Sequence, residues 1–330
     1  MHGKSRRVTI SQVAEAAGVD RSTVSRAFTR PDKIRAETTR HILRIAEELG
    51  YTPNQTARAL STGRTANVAL LVPDLTNPFI PPLILGVQRE ADLSDFCVFI
   101  GNFDESPAQE SKMLLRFAPQ VAGTILVSSR ADDAQVHDFA ARTPLVLINR
   151  DLDGVPRILI DATDGVAEAM AHLVELGHRR IAYVGGSARS WSNEQRRRAA
   201  EAAAAQLGAD LTLLSAGHAS FDAGLAMVDS ILASGTTAAI AFDDVLAQGI
   251  LSGLAEHDRE VPRDYSLIGC DDVLGAVTYP ALTSISNRAA EAGKAAMRML
   301  LDRLEEPGKP AERQSLGTSL VLRRTTAPPN

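Results

Sequence analysis

Hydrophobic positions along this chain follow two rhythms, and the change comes near residue 66. In the first fifty residues apolar side chains recur at three- and four-residue intervals, the period of amphipathic helices. Thr9-Ile10-Ser11-Gln12 has the form of a capping box, in which a hydroxyl and an amide side chain satisfy orphan N–H groups at a helix start. The helix it opens is expected over roughly 10–17, with Val13, Ala16 and Ala17 turned inward, and Gly18 stops it. Asp20 then caps a second helix, RSTVSRAFT, whose Val24, Ala27 and Phe28 share a face while Arg21, Ser22, Ser25 and Arg26 look away. A third helix over about 36–49 is expected to bury Ile42, Ile45, Ala46 and Leu49 before Gly50 ends it. Two short helices joined by a glycine turn and covered by a third make a helix-turn-helix.

From Val68 onward the pattern becomes strand-like: VALLV, CVFIG, TILVS, LVLIN, RILID, RIAYVGG, AAIAF and YSLIGC. Helical stretches such as GVAEAMAHLVELG and NEQRRRAAEAAAAQLG separate most of them. Strands alternating with helices imply parallel sheets covered on both faces. Several strands end in acidic or polar residues: Asp74, Asn149-Arg150-Asp151, Asp161, Asp243-Asp244 and Asp271-Asp272. Ligands of open α/β sheets bind beyond the carboxyl ends of strands, and such a rim suits a polar, hydroxylated ligand. Between the two regions, YTPNQTARALSTGRT holds a helix too short to persist alone in water, one that forms when something docks against it.

Composition adds one asymmetry. The 330 residues carry a net charge of −5. Residues 1–64 hold 12 Lys and Arg against 6 Asp and Glu, leaving 23 against 34 for the rest. A basic head on an acidic body fits either a head that meets a polyanion or a merely solvated basic face. No apolar run is long enough to cross a membrane, and the N-terminus lacks the apolar core of a secretory signal. Cys97 and Cys270 stand far apart without metal-like spacing, so both are expected as reduced core residues of a cytoplasmic protein, with no metal and no cofactor.

With these residues in view, a resemblance becomes specific. VTISQVAEAAGVDRSTVSRAF, ELGYTPNQTARALSTGRT, VPDLTNPF, HLVELGHRRIAYVGG, SLIGCDD and LVLRRTTAPP together resemble the lactose-repressor (LacI/GalR) family, in order, from about Val8 to Pro329. The resemblance implies an N-terminal all-α helix-turn-helix head over 1–52 and a hinge helix with linker over 53–65. It also implies an α/β periplasmic-binding-protein-like core over 66–330, built of two doubly wound subdomains with three crossovers. The first would take about 66–161 and 290–317, the second about 162–286 and 318–330. The implied partners are double-stranded DNA with a pseudo-palindromic operator, a small-molecule effector of sugar type, and a second copy of the chain in a homodimer. The implied role is a transcription regulator, a repressor in the first instance.

By the same resemblance Arg21, Ser22 and Arg26 match positions whose side chains reach base edges. Arginine can bond guanine O6 and N7 bidentately, and serine can donate or accept. Thr9, Thr23 and Ser25 suit phosphates, which position a domain without reading sequence. In the hinge, Asn54, Ala57 and Arg58 lead to Leu60, which matches a leucine wedged between base pairs in the minor groove; an apolar wedge bends the duplex. In the core, Asp74, Asn77 and Phe79 would line the cleft from one subdomain, with Arg150 at a neighbouring strand end. Arg196, Asp243 and Asp271 would face them, carboxylates accepting from hydroxyls and a guanidinium donating. Plainer readings stand beside these: Asp271 or Asp272 as turn caps, Trp191 as packing, Arg197 and Arg198 as solvated.

The chain departs from the family pattern in three places. An aspartate, Asp243, stands before Asp244 where the family has asparagine, turning a donor–acceptor amide into an acceptor. Ala219 stands where an aromatic stacks on the ligand, so the platform moves to Phe221 or Trp191, or is missing. Ala199-Ala200 replaces a glycine–aromatic pair. Two other classes are weighed against the regulator. A sugar-binding protein for uptake would share the core but would need an export signal and no basic head. An enzyme would need a motif that is missing: there is no phosphate loop, nucleophile elbow or metal-spaced His/Cys/Glu cluster. His178 in LGHRR is read as a structural residue of a helix-to-strand turn, and the choice between repressor and activator stays open.

Overall fold

The computed structural model describes residues 8–29, 31–51 and 65–330. The chain divides into two compact units, Met1–Ala66 and Asn67–Asn330. In the first, α1 spans Ile10–Ala17, α2 Arg21–Thr29 and α3 Ala36–Glu48. Gln12 Oε1 accepts from the Thr9 N–H at 2.9 Å, closing the start of α1, and Gly18 ends it in the left-handed conformation (φ 64°) that a side chain would disfavour. The three helices close around Val13, Ala14, Ala17, Val24, Ala27, Ile42 and Ala46, with Phe28 and Tyr51 packed ring on ring 5.7 Å apart. Two expectations change here. Ala14 rather than Ala16 is buried, because α2 and α3 both lean on the Val13–Ala14 edge. Leu49 lies exposed, since α3 closes at Glu48 and the next residue turns outward.

The second unit begins with β1 (Asn67–Val72), α4 (Ile80–Asp92), β2 (Cys97–Asn102), α5 (Pro107–Phe117), β3 (Gly123–Val127), α6 (Asp133–Ala140), β4 (Leu145–Ile148) and β5 (Arg157–Asp161). It continues with α7 (Thr163–Glu175), β6 (Arg180–Gly185), α8 (Trp191–Leu207), β7 (Asp210–Ser215), α9 (Phe221–Ala226), α10 (Val228–Ala233), β8 (Ala238–Ala241), α11 (Asp244–Glu256) and β9 (Ser266–Asp271). β10 (Thr283–Ser286), α12 (Ala289–Glu305), β11 (Arg313–Gly317) and β12 (Ser319–Val321) complete it. Two six-stranded sheets result, ordered β11-β5-β4-β3-β1-β2 and β12-β10-β9-β8-β6-β7. All pairings are parallel except that of β12 with β10. The chain passes between sheets three times, after β5, after β10 and after β11.

Central strands are buried on both faces and read as unbroken apolar runs, as parallel sheets require. The sheet of β1 is sandwiched between a cluster with α4 and α12 on one face and a cluster with α5 and α6 on the other. The sheet of β6 has α7 and α8 on one face and α9 to α11 on the other. Cys97 corrects an expectation: it is exposed, because β2 is the edge strand, and only Cys270 is a core residue.

One helix pair in each sheet layer packs with almost no spacing. Gly86 and Gly293 let α4 and α12 touch, and Gly224 and Gly249 do the same for α9 and α11. A Cβ on Gly249 would lie 2.0 Å from the Phe221 carbonyl oxygen, so the helices could not keep their distance. Gly249→Ala is therefore expected to lower the unfolding free energy of the core by about 1–3 kcal/mol, the usual cost of overpacking. Denaturant unfolding of the variant checks this; an unchanged midpoint would contradict the close approach.

Candidate functional site

In the head, α2 carries Arg21, Ser22 and Arg26 on its exposed face, with Thr23 and Ser25 half-buried beside them. The opposite face, Val24 and Ala27, is spent on the core, so helical periodicity alone sends the polar set outward. Among the described residues neither Arg21 nor Arg26 pairs with a carboxylate. Thr9 is exposed, its hydroxyl donating to Gln12 Oε1 at 3.1 Å. Asn54, Ala57, Arg58 and Leu60 lie outside the described residues.

In the core, Arg196 on the second turn of α8 is the centre of a buried polar group at the carboxyl ends of β8 and β9. Its Nη2 donates to Asp271 Oδ1 at 2.9 Å, and its Nη1 donates to the Phe242 carbonyl oxygen. The guanidinium carbon stands 4.8 Å from the centroid of the Phe242 ring. Its Nε has no hydrogen-bond partner. Arg196 and Asp271 are 6% and 7% exposed, which makes theirs a buried ion pair. Asp271 ends β9 with φ 101°, a conformation that side chains rarely adopt and that accumulates at functional sites.

Asp243, 1% exposed, caps α11: its Oδ1 accepts from the Leu246 N–H at 2.8 Å. Its Oδ2 accepts from Asn77 Nδ2 at 3.2 Å, a direct link between the β1 loop of one sheet and the β8 loop of the other. Burial, reinforced by the negative charge of Asp271, holds the Asp243 carboxyl well above the usual range. Its neighbour Asp244 is pushed up to about 6, chiefly by burial. Asp244 accepts from the Ser284 hydroxyl at 2.6 Å and from the Val273 and Leu274 N–H groups at 3.0 Å, which ties the turn after β9 to the start of α11.

Not every residue expected at the rim lies open to it. Asp74 folds back on its own turn, accepting from the Thr76 N–H and hydroxyl at 2.8 and 2.7 Å. The side chain of Phe79 packs into the apolar core beneath α4, because the chain has already turned into that helix. Arg150 pairs with Asp133 at 2.6 Å, with its remaining reach spent on the Ala131 carbonyl oxygen. Trp191 is half-buried at the start of α8, and Phe221 is exposed at the start of α9. Arg197 and Arg198 form ion pairs with Glu194 along α8. Ala199 and Ala200 pack into the core with α7. His178 is structural: its ring meets Thr237, Ser266 and the Ala327 carbonyl at 2.7 to 3.0 Å. Sequence reasoning passed over Phe242, whose ring underlies Arg196; its place before a strand-end aspartate was the available signal. A separate groove of about 390 Å³, between α12 and edge strand β11, is lined by Glu291, Lys294, Arg298, Asp302 and Glu312 and shares no residue with the rim.

Head and core together define a DNA-binding regulator with a periplasmic-binding-protein-like effector domain. A model of the lacI family of bacterial regulatory proteins matches residues 9–54, and a periplasmic binding protein-like domain matches residues 170–326. The chain is 30% identical over 337 residues to the HTH-type transcriptional regulator DegA of Bacillus subtilis (strain 168), covering 98% of this chain and 99% of that one. Its fold resembles the lac repressor dimer bound to operator and the anti-inducer ONPF, with a TM-score of 0.87, 25% identity, and coverage of 98% and 100%. The transcriptional regulator CelR–cellobiose complex is similar at a TM-score of 0.73, 28% identity, and coverage of 97% and 100%. The chain belongs to the lacI family of bacterial regulatory proteins. Among the described residues no helix is long and apolar enough to cross a membrane.

Two measurements follow from the buried charges. Asp271→Ala leaves the Arg196 cation without its carboxylate and is expected to cost the core about 3–5 kcal/mol of unfolding free energy. A loss under 1 kcal/mol would show that the pair is not buried as described. The second is a pH effect. An acid whose folded pKa is raised stabilises the fold while protonated, and that contribution fades as pH rises through the folded value. Asp243→Asn, neutral at every pH, is therefore expected to gain stability relative to the native chain as pH rises from about 4 to about 7, the folded value of Asp243, with a slope approaching roughly 1.4 kcal/mol per pH unit. Paired denaturation curves across that range check it; parallel pH profiles would contradict it.

Proposed function

We propose that the protein is a sequence-specific transcription regulator whose operator affinity is set by a small polyhydroxylated effector, a sugar or sugar derivative. The carrying observation is the exposed Arg21–Ser22–Arg26 face of α2 on a closed three-helix head. These side chains read base edges in the major groove, while Thr9, Thr23 and Ser25 hold phosphates. Asn54, Ala57 and Arg58 bring Leu60 to the minor groove as a wedge. The protein acts in the cytoplasm, where the chromosome is reached, and as a homodimer, whose two heads require a pseudo-palindromic operator. The dimer of the lac repressor on its operator supports that arrangement.

The effector lies at the rim where Asn77 from one sheet meets Asp243 from the other, with Arg196 and Asp271 behind. Asp74, Phe79, Arg150, Trp191 and Phe221 border that rim as further polar and aromatic contacts. The cellobiose complex of CelR supports a sugar-type ligand. Because the two sheets each contribute to this site, a bound ligand changes the preferred angle between them. Effector and operator then alter each other's affinity by the same factor, typically worth about 1–3 kcal/mol. The regulator is read as a repressor in the first instance.

Selection from a pool of random duplexes by the purified protein tests this reading. A palindromic site is expected, with affinity falling steeply as salt rises. Arg26→Ala should cost about 1–3 kcal/mol on the selected site and relax the base preference at one position in each half. Leu60→Ala should weaken specific binding and reduce the bend. No selected sequence from well-folded protein would overturn the proposal and favour a sugar-binding protein of another role.

A further inference from the structure

We propose that the effector carries a cationic nitrogen, as in an amino sugar, and that Asp243 is the residue that selects it. The inference rests on the rim being the effector site. Asp243, Asp244 and Asp271 crowd the carboxyl ends of β8 and β9, all nearly sealed from water, with one guanidinium among them. That guanidinium is committed: Arg196 is bonded to Asp271 and to the Phe242 carbonyl. Asp244 is fully engaged by one hydroxyl and two backbone N–H groups. Asp243 is as buried and its partners are likewise neutral, but they are fewer, the Leu246 N–H and the Asn77 amide, and of the two carboxyls it is the one met from the other sheet. Among the described residues no cationic side chain pairs with it.

A buried carboxylate without a cation is costly, and two outcomes relieve the cost. The group takes up a proton, or a cation arrives from outside. The groups that face Asp243 are Asp271, Asp244, Arg196, the Tyr183 hydroxyl and the Cys270 thiol; the two carboxylates and burial favour the proton, and Arg196 opposes it. The Tyr183 hydroxyl is turned to Asn193 Oδ1 at 3.0 Å and does not compete. A neutral asparagine at this position would carry none of this cost and could serve a neutral hydroxyl. The aspartate puts a group that can become negative at the point where the two sheets meet, and Asn77 is the group a ligand would displace there. An ammonium group placed against Asp243 Oδ2 would replace a neutral hydrogen bond with a charge-assisted one, and the proton held by Asp243 would leave to solvent.

The test is isothermal titration of the full-length protein near neutral pH with D-glucosamine, D-galactosamine and D-mannosamine, each beside its neutral parent sugar. Two buffers of different ionisation enthalpy report proton release. At least one amine is expected to bind roughly ten- to a hundredfold more tightly than its parent, the worth of a charge-assisted hydrogen bond. Its binding should release a proton that the parent does not release. In Asp243→Asn the ratio of the two affinities should collapse toward one and the proton release should vanish. The native-chain comparison stands even if that variant folds poorly. Equal or tighter binding of a neutral parent, or no saturable amine binding, overturns the inference. Sugar binding that is indifferent to Arg196→Lys would instead overturn the placement of the site.

Discussion

A guanidinium buried on the second turn of α8 organises one whole end of this core. Taking Arg196 out of water is paid back only because Asp271, the Phe242 carbonyl and the Phe242 ring converge on it. Those partners come from the ends of β9 and β8, so one ion pair locks a helix on one face of the sheet to two neighbouring strands. The positive φ of Asp271 is the local price of aiming its carboxylate back at α8 rather than along the strand. Asp243 and Asp244 are then forced into the same small volume, and their pKa values are raised first by burial and then by the nearby charge of Asp271.

The same end of the sheet is where the two halves of the core meet. Asn77 Nδ2 reaches Asp243 across the boundary, while its own Oδ1 accepts from the Phe79 N–H at 2.9 Å and holds the loop entering α4. A second crossing contact, Gln195 Nε2 to Asp161 Oδ1 at 2.5 Å, joins the end of β5 to α8 one residue before Arg196. Each contact is polar, short in reach and made at the carboxyl ends of strands. The apolar cores belong to the separate sheets, while these two hydrogen bonds cross between them at the rim. A ligand with several hydroxyls can substitute for them one by one. This suits a hinge whose setting depends on what fills the gap.

Much of this is legible in the chain itself. The eight apolar runs from VALLV to YSLIGC are eight strands, and for those away from the edge the reason is that a parallel strand covered on both faces must be apolar at nearly every position. The strands that the pattern passed over are β7, β10, β11 and β12. β7 is a half-exposed edge with polar residues interleaved. β10, TSIS, is buried yet polar: Ser284 bonds Asp244, and the Thr283 N–H and hydroxyl bond Thr325 and the Arg323 N–H. Hydroxyls that find buried partners leave no apolar signal. Cys97 misled for the opposite reason, since CVFIG is as apolar as its neighbours but lies on an edge.

By itself the chain determined its helix-turn-helix, its alternation of strand and helix, and the acidic ends of its strands, because each depends on neighbours within a few residues. Which of those acids matter was decided only in three dimensions. Asp74 and Asp243 are alike in sequence, both aspartates at strand ends. One spends itself on Thr76 two residues away, while the other is sealed beside Asp271 and met by Asn77 from 166 positions upstream. Burial and charge crowding are properties of the assembled sheet ends, and no local pattern encodes them. A strand-end aspartate is written in the sequence; a strand-end aspartate lacking a cation exists only once the two sheets have closed around it.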